Sequence, residues 1–555
     1  MALSRHIDPD ELVLKLHEAS LEGKSGSHKR HAQLRGHGGV HYGSGGPYTS
    51  RYATNQEIPK FKLSEDGVGS ETAYQLLKDE LDLDGRPNLN LASFVGTYME
   101  SRADDLIREN ISKNMSDADE YPAMMNMHTR CVSILANLWG VQKGETAIGS
   151  ATTGSSEAIH LAGLAMKRRW QEKRTAAGKD TLHPNIIMGT NAQVALEKFA
   201  RYFDVEARLL PVSEASEWRL DPSLVRDNID ENTIGVFVIL GSTYTGHYEP
   251  VEEISKILDD YERETGHDIP IHVDGASGAL VAPFTAAGAG AKWNFELPRV
   301  KSINTSGHKF GLVYAGVGWI IWRDEQYLPR HLIFELHYLG GTEESYTLNF
   351  SRPGAQIIAQ YFNFIHLGFN GYRAIMENCM ANARMLSKSL EATGWYTCVS
   401  SIHRKRGQKH YKPSAKAYSG GEDETSADYN PGLPVVAFRF SDEFKREYPH
   451  VKQQAVSTLL RVKQYIIPNY PLPPNEDKTE ILRVVVRESM SADLLYRLIA
   501  DICEVTENLM RSDQIDLEAF GGSSKGSAEA QHSRMTGDRK DSKNPMGNGV
   551  HRSVC

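Results

Sequence analysis

Short apolar runs alternate with amphipathic stretches along most of this chain. NIIMG, IGVFVIL, PIHVD, KSINTS and LVYAGVGWIIW fall between residues 185 and 322. They are brief and rich in β-branched residues, which predicts buried strands. Between two of them, VEEISKILDDYER sets Ile254, Ile257, Leu258 and Tyr261 at i, i+3, i+4 and i+7, an amphipathic helix. Strands alternating with helices predict an α/β fold with a mostly parallel sheet. Helical patterns also span Glu71–Glu80 and Met99–Asn114. A smaller α+β part, about 380–518, carries the strand candidates LPVVAFRF and ILRVVVRE. It ends in a helix opened by Ser491, with Leu494, Leu498, Ile502 and Leu509 along one side. The pattern thus divides the chain into an arm with a short amphipathic stretch (1–69), a large part (70–379), a small part (380–518) and a tail (519–555). A polar loop at about 401–432 is expected to be mobile.

Composition narrows the class without naming a chemistry. The chain has 555 residues, enough for a large core, and its 40% hydrophobic and 24% charged residues exclude a collagen-like or mainly disordered chain. The net charge of −9 gives no basic signal for nucleic acid. Five scattered cysteines without a CxxC argue against a disulfide framework or a cysteine metal site. The His/Gly-rich arm (six of 21 histidines in residues 1–50) has no supporting pattern for metal ligation, so no metal is expected. No apolar run approaches the ~18 residues of a membrane span, and the N-terminus lacks a secretory or transit pattern. A cytoplasmic protein is the expectation.

Three motifs carry candidate chemistry. Lys309, in SINTSGHKFG, stands between two strand-like runs. A lysine there can form a Schiff base if its surroundings lower its pKa, although most lone lysines are simply solvated. Asp274 ends the strand of PIHVDGASG. Carboxyl ends of parallel strands line the ligand crevice, so this carboxylate can hold a cationic ring nitrogen; the plain alternative is a helix cap. Gly154-Ser155-Ser156 precede a helical run, a place for an anion or for ordinary capping. Neither a P-loop nor a GxSxG elbow is present. Together the three match the phosphate, ring nitrogen and aldehyde of pyridoxal 5'-phosphate. Their order, and the 35 residues from Asp274 to Lys309, look like the aspartate-aminotransferase-like fold (fold type I) of pyridoxal-phosphate (PLP)-dependent enzymes.

HVDGASG and SINTSGHKFG, with LASF, EYP, GSSEA, KFARYFDVE, TYTGHYE and FSRP at corresponding spacing, resemble the glutamate decarboxylases, and among them the longer, fungal-like ones. These are group II amino-acid decarboxylases, and the resemblance spans about residues 70–510. It implies conversion of L-glutamate to 4-aminobutanoate and CO₂. Lys309 would be the Schiff-base lysine and His308 its neighbour at the cofactor. Asp274 would pair with the ring nitrogen, Ala276 would pack under the ring and Gln193 would stack over it. Thr243 would approach a ring substituent. Ser155, Ser156 and Ser306 would hold the phosphate, with Ser351 reaching in from a neighbouring subunit. Arg483 would bind the α-carboxylate region of the substrate. Ser93 and Phe94 would meet its distal carboxylate, assisted by Asp117 from the partner chain. The family commonly has Thr where this chain has Ser93; the hydroxyl is kept.

Sites built from two chains imply at least a homodimer, with a hexamer also compatible. Plant members carry a C-terminal calmodulin-binding segment. Residues 519–555 hold six basic and three acidic residues, but no Trp and no amphipathic period, so a solvated tail is expected and only charge speaks for calmodulin. Bacterial members have a C-terminal His that can close the site as pH rises; His551 is near the end here, on a much longer tail. The competing readings are a PLP enzyme for another amino acid, which should lack LASF and Asp117, and a non-catalytic homologue acting as a binding subunit, which an intact Lys309 opposes.

Overall fold

A computed structural model describes residues 61, 63, 67–285, 292–336, 343–408 and 425–512. Most of the N-terminal arm, the centre of the 401–432 loop, and the tail with His551 lie outside the described residues. Among the described residues before Pro87 there is one helix, α1 (Ser70–Leu81).

From Pro87 onward a seven-stranded sheet forms the centre. Its strands are β1 (Ile148–Thr152), β2 (Asn185–Gly189), β3 (Glu206–Leu210), β4 (Thr233–Ile239), β5 (Ile271–Asp274), β6 (Val300–Thr305) and β7 (Gly318–Trp322), in the order β1-β7-β6-β5-β4-β2-β3. The pairs from β3 to β6 are parallel; β7 runs antiparallel to both β6 and β1. Every residue of β2, β4, β5 and β7 is buried, which is why these strands read as unbroken apolar runs rather than as alternation. Helix α2 (Ser101–Asn110) is followed by α3 (Pro122–Leu138), which packs on β1 and β7. Helix α4 (Ser155–Ala176) lies across β4, β6 and β7. Helices α5 (Val194–Tyr202) and α6 (Val251–Thr265) make two of the crossovers.

A long kinked helix, α7 (Ala355–Ala392), passes through residue 380 and serves both parts of the chain. It breaks at Gly368, whose φ is 57°. Beyond it lies an antiparallel sheet of β8 (Tyr396–Cys398), β9 (Val435–Phe440), β11 (Glu480–Val485) and β10 (Asn469–Pro471), in that order. Helices α7, α8 (Gln453–Val462) and α9 (Ala492–Arg511) pack on it, and the Ser491 hydroxyl caps α9 by accepting from Leu494 N–H. The described ends of the 401–432 loop are tied together, Arg406 N–H to Asp428 O and Asn430 N–H to Arg404 O. No helix among the described residues is long and apolar enough to cross a membrane.

One predicted strand is shortened. LVYAGVGWIIW pairs only over Gly318–Trp322. Leu312 has a φ of 62° and Gly316 one of 118°, which no strand tolerates. The carbonyls of Gly311 and Leu312 instead accept from Gln360, Asn363 and Tyr372 on α7. This bend carries the chain from the Lys309 segment back into the sheet.

The turn after β5 is closely packed. A Cβ on Gly278 would lie 2.1 Å from the Leu240 carbonyl oxygen at the end of β4. That neighbour is backbone and cannot swing away. Gly278→Ala is therefore expected to destabilise the fold by about 1–3 kcal/mol, seen as a lower Tm; an unchanged Tm would contradict this packing.

Candidate active site

The ends of the central strands gather the charged residues that the motifs singled out. Asp274 is the last residue of β5 and is 4% exposed. Its Oδ1 accepts from Ala276 N–H and from Asn304 Nδ2, both at 3.1 Å. Burial pushes its carboxyl up, while the Lys309 charge and these two donors pull it down. Lys309 follows β6 and turns its Nζ toward Ser277 Oγ at 3.4 Å. It also sits 5.4 Å from the centre of the Phe94 ring.

Phe94 is 2% exposed and has a second cation near it: Arg483 Cζ lies 5.0 Å from the same ring. Arg483 is fully buried on β11, where it donates Nη1 to Thr243 O at 2.7 Å and Nη2 to Ala92 O. One guanidinium thus holds the TYTGHYE turn and the LASF segment together. Arg487, four residues on, donates to the carbonyls of Val95, Pro87 and Asn90. Ser93 Oγ accepts from Val95 N–H at 3.1 Å, and Gly96 N–H donates to His308 O at 2.9 Å. The segment from Pro87 to Thr97 has little secondary structure of its own. It is ordered by side chains almost 400 residues away.

A pair of hydroxyls meets at the start of α4. Ser155 Oγ and Ser306 Oγ are 2.7 Å apart, and Ser156 is exposed on the first turn. A Cβ on Gly318 would come within 2.5–2.8 Å of Gly154 and Ser155 backbone, so glycine lets β7 press the helix start against the Ser306 loop. Ser306 N–H donates to Ala276 O, which fixes this loop to the turn after Asp274. Beside it, His308 Nδ1 is buried with no hydrogen-bond partner. Burial and then the Lys309 charge bring the His308 pKa down to about 4.

Gln193 caps α5, its Oε1 accepting from Ala195 N–H at 2.7 Å. Ser351 and Asp117 belong to a second cluster. Asn114 Nδ2 donates to Ser351 Oγ at 3.3 Å, Met115 N–H donates to Arg352 O, and Ser116 Oγ donates to Asp117 Oδ1. Both were expected to serve a neighbouring subunit, and Ser351 is exposed. Four residues at the site were missed by the motif reading: Ser277, which meets Lys309, Arg487, and the pair His272 and Asn304 behind Asp274. The alternation of β5 and β6 does place His272 on the face of Asp274, a signal that was available.

The matching family model is the pyridoxal-dependent decarboxylase conserved domain, over residues 54–406. The chain belongs to the pyridoxal-dependent decarboxylase family. It is 49% identical over 470 residues to the glutamate decarboxylase of Saccharomyces cerevisiae, covering 82% of this chain and 80% of that one. It is 46% identical over 464 residues to glutamate decarboxylase 1 of Arabidopsis thaliana, covering 83% and 85%. Among solved structures, the glutamate decarboxylase of Lactobacillus brevis CGMCC 1306 superposes with a TM-score of 0.74 at 37% identity, covering 83% of this chain and 97% of that one. The fold is accordingly fold type I, and the cofactor of this decarboxylase is pyridoxal 5'-phosphate. The residues present fit that group: a hydroxyl pair at a helix start, an unpartnered buried imidazole nitrogen, a strand-end carboxylate and an amine.

The His308 environment has a pH consequence. A native pKa near 4 against about 6.5 in the unfolded chain means that the unfolded state binds more protons between these values. This contribution to stability is present above pH 6.5 and is lost as pH falls toward 4. In the cofactor-free decarboxylase, histidine NMR is expected to show His308 neutral at pH 6; a titration midpoint at 6 or above would contradict its burial.

Proposed function

We propose that this decarboxylase converts L-glutamate to 4-aminobutanoate and CO₂, with Lys309 as the amine that holds the cofactor. The observation that carries this reading is the convergence of Lys309 and Arg483 on one buried ring, Phe94, at 5.4 and 5.0 Å from its centre. An amine and a guanidinium beside the same ring are what a substrate with an amino and a carboxylate group would need. The identities with glutamate decarboxylases, over more than four-fifths of the chain, support the same substrate.

Bound pyridoxal 5'-phosphate supplies an aldehyde that condenses with amines and a ring that accepts the electron pair left when carboxylate departs as CO₂. The residues do the rest. Ser155, Ser156 and Ser306 bind the phosphate at the positive end of α4, and Ser351 from a partner chain completes the cradle. Asp274 holds a proton on the ring nitrogen. Its charge acts in a site closed to water, where the attraction is far stronger than in bulk. Ala276 would pack under the ring, Gln193 would stack over it, and Thr243 would approach a ring substituent. His308, neutral in its buried site, presents an uncharged imidazole to the cofactor.

Arg483 fixes the α-carboxylate, while Ser93 and Phe94 meet the distal carboxylate, with Asp117 of a second copy beside it. Holding both ends would limit the rotamers open to the substrate, which is catalysis by positioning. Phe94 also excludes water from the amine. Lys309 would supply the amine that holds the cofactor and would return a proton to the substrate's Cα. The overall charge of −9 repels an anionic substrate, so these local groups have to attract it. A cytoplasmic setting and assembly at least as a homodimer complete the reading.

A panel of amino acids tests it. With cofactor added, CO₂ release from L-glutamate should exceed that from L-aspartate, L-tyrosine and L-tryptophan. Lys309→Ala should lower kcat by at least about a thousandfold, the scale of losing a nucleophile and a proton carrier together. A preference for an aromatic substrate, or normal turnover by Lys309→Ala, would overturn the assignment.

A further inference from the structure

The carboxylate of Asp274 is the inner end of a buried polar chain. Side chains alternate along a strand, so His272 and Asp274 share one face of β5, and Ser302 and Asn304 share one face of β6. The parallel register sets His272 beside Ser302 and Asp274 beside Asn304. All four are buried, with His272 and Asn304 at 0% exposure. Polar groups this deep in a sheet need partners, and here they find one another. Ser302 Oγ is 2.8 Å from His272 Nδ1, His272 Nε2 is 2.8 Å from Asn304 Oδ1, and Asn304 Nδ2 is 3.1 Å from Asp274 Oδ1.

The direction of these bonds follows from the carboxylate outward. Asn304 donates Nδ2–H to Asp274 Oδ1 and turns its own Oδ1 toward His272. His272 must then donate from Nε2, which leaves Nδ1 to accept from the Ser302 hydroxyl. Burial holds the His272 pKa at about 4, so the ring is neutral and can take this tautomer. Every donor in the chain therefore points at Asp274. Hydrogen bonds aligned head to tail polarise one another, and the positive end of the series faces the carboxylate. Ala276 N–H adds another donor to the same Oδ1. With Oδ1 held from two sides, the carboxylate plane is fixed and Oδ2 is aimed by it.

We propose that Ser302, His272 and Asn304 are positioning residues, a relay that presents Asp274 as an oriented anion to the ring nitrogen of bound pyridoxal 5'-phosphate. This rests on the function read above. The relay acts on one atom of the cofactor, so its effect is separable from effects on the phosphate or the aldehyde.

The test compares two ligands on the cofactor-free full chain: pyridoxal 5'-phosphate, and its deaza analogue in which C–H replaces the ring nitrogen. The readout is the ratio of their equilibrium dissociation constants, which does not depend on turnover. The wild-type chain should prefer the natural cofactor. Asn304→Ala should reduce that preference by at least about tenfold, the scale of one charge-assisted hydrogen bond. Ser302→Ala, at the outer end, should reduce it by about twofold, and it supplies the ratio should Asn304→Ala fail to fold. A merely structural role would weaken both ligands alike; an unchanged ratio in the variants overturns the relay and leaves the function standing. A wild-type chain that binds neither ligand would instead remove the function on which the relay rests.

Discussion

A carboxylate buried at the end of a strand has to be compensated, and the surroundings of Asp274 are arranged around that requirement. Burial pushes its pKa up. The Lys309 charge, the Ala276 N–H and the Asn304 amide oppose that tendency. Each compensating group is placed by a different constraint. Asn304 comes from the register of β6 on β5, Ala276 from the turn that Gly278 allows, and Lys309 from the bend that ends at β7. The site is thus a consequence of how three neighbouring strands end, rather than of any one motif.

The second constraint is long range. The LASF segment packs on the Lys309 loop through Gly96 and Phe94, yet its backbone is held by Arg483 and Arg487 from the small sheet. The same Arg483 holds the Thr243 turn that follows β4. Shifting β11 would therefore move both walls of the site together. Because Arg483 spends two donors on carbonyls, it stands as a fixed cation, and fixed charges cost little reorganisation when an anion arrives.

Much of this was legible in the sequence, and the limits are physical. Fully buried strands announce themselves by unbroken β-branched runs, and β2, β4 and β5 fell where those runs lie. β1 did not, because IGSAT carries too little apolar weight to stand out from the loop beside it. Helix α7 was missed because Gly368 interrupts a dense aromatic stretch. Lys309, Asp274 and the Ser155 pair were readable as chemistry because short motifs carry them. The relay behind Asp274 depends on which residue of β6 faces which of β5. Arg487 depends on contacts between positions nearly 400 residues apart. Local pattern contains neither.

On the proposed function, Lys309 is the amine that takes the cofactor, with Asp274 and Arg483 arranged about it. Borohydride reduction of the cofactor-loaded protein, followed by mass mapping of its peptides, tests this most directly. Loss of the yellow colour and a single pyridoxyl mass increment on the peptide containing Lys309 are expected. An increment on any other lysine, or a yellow protein that reduction leaves unmodified, would contradict it.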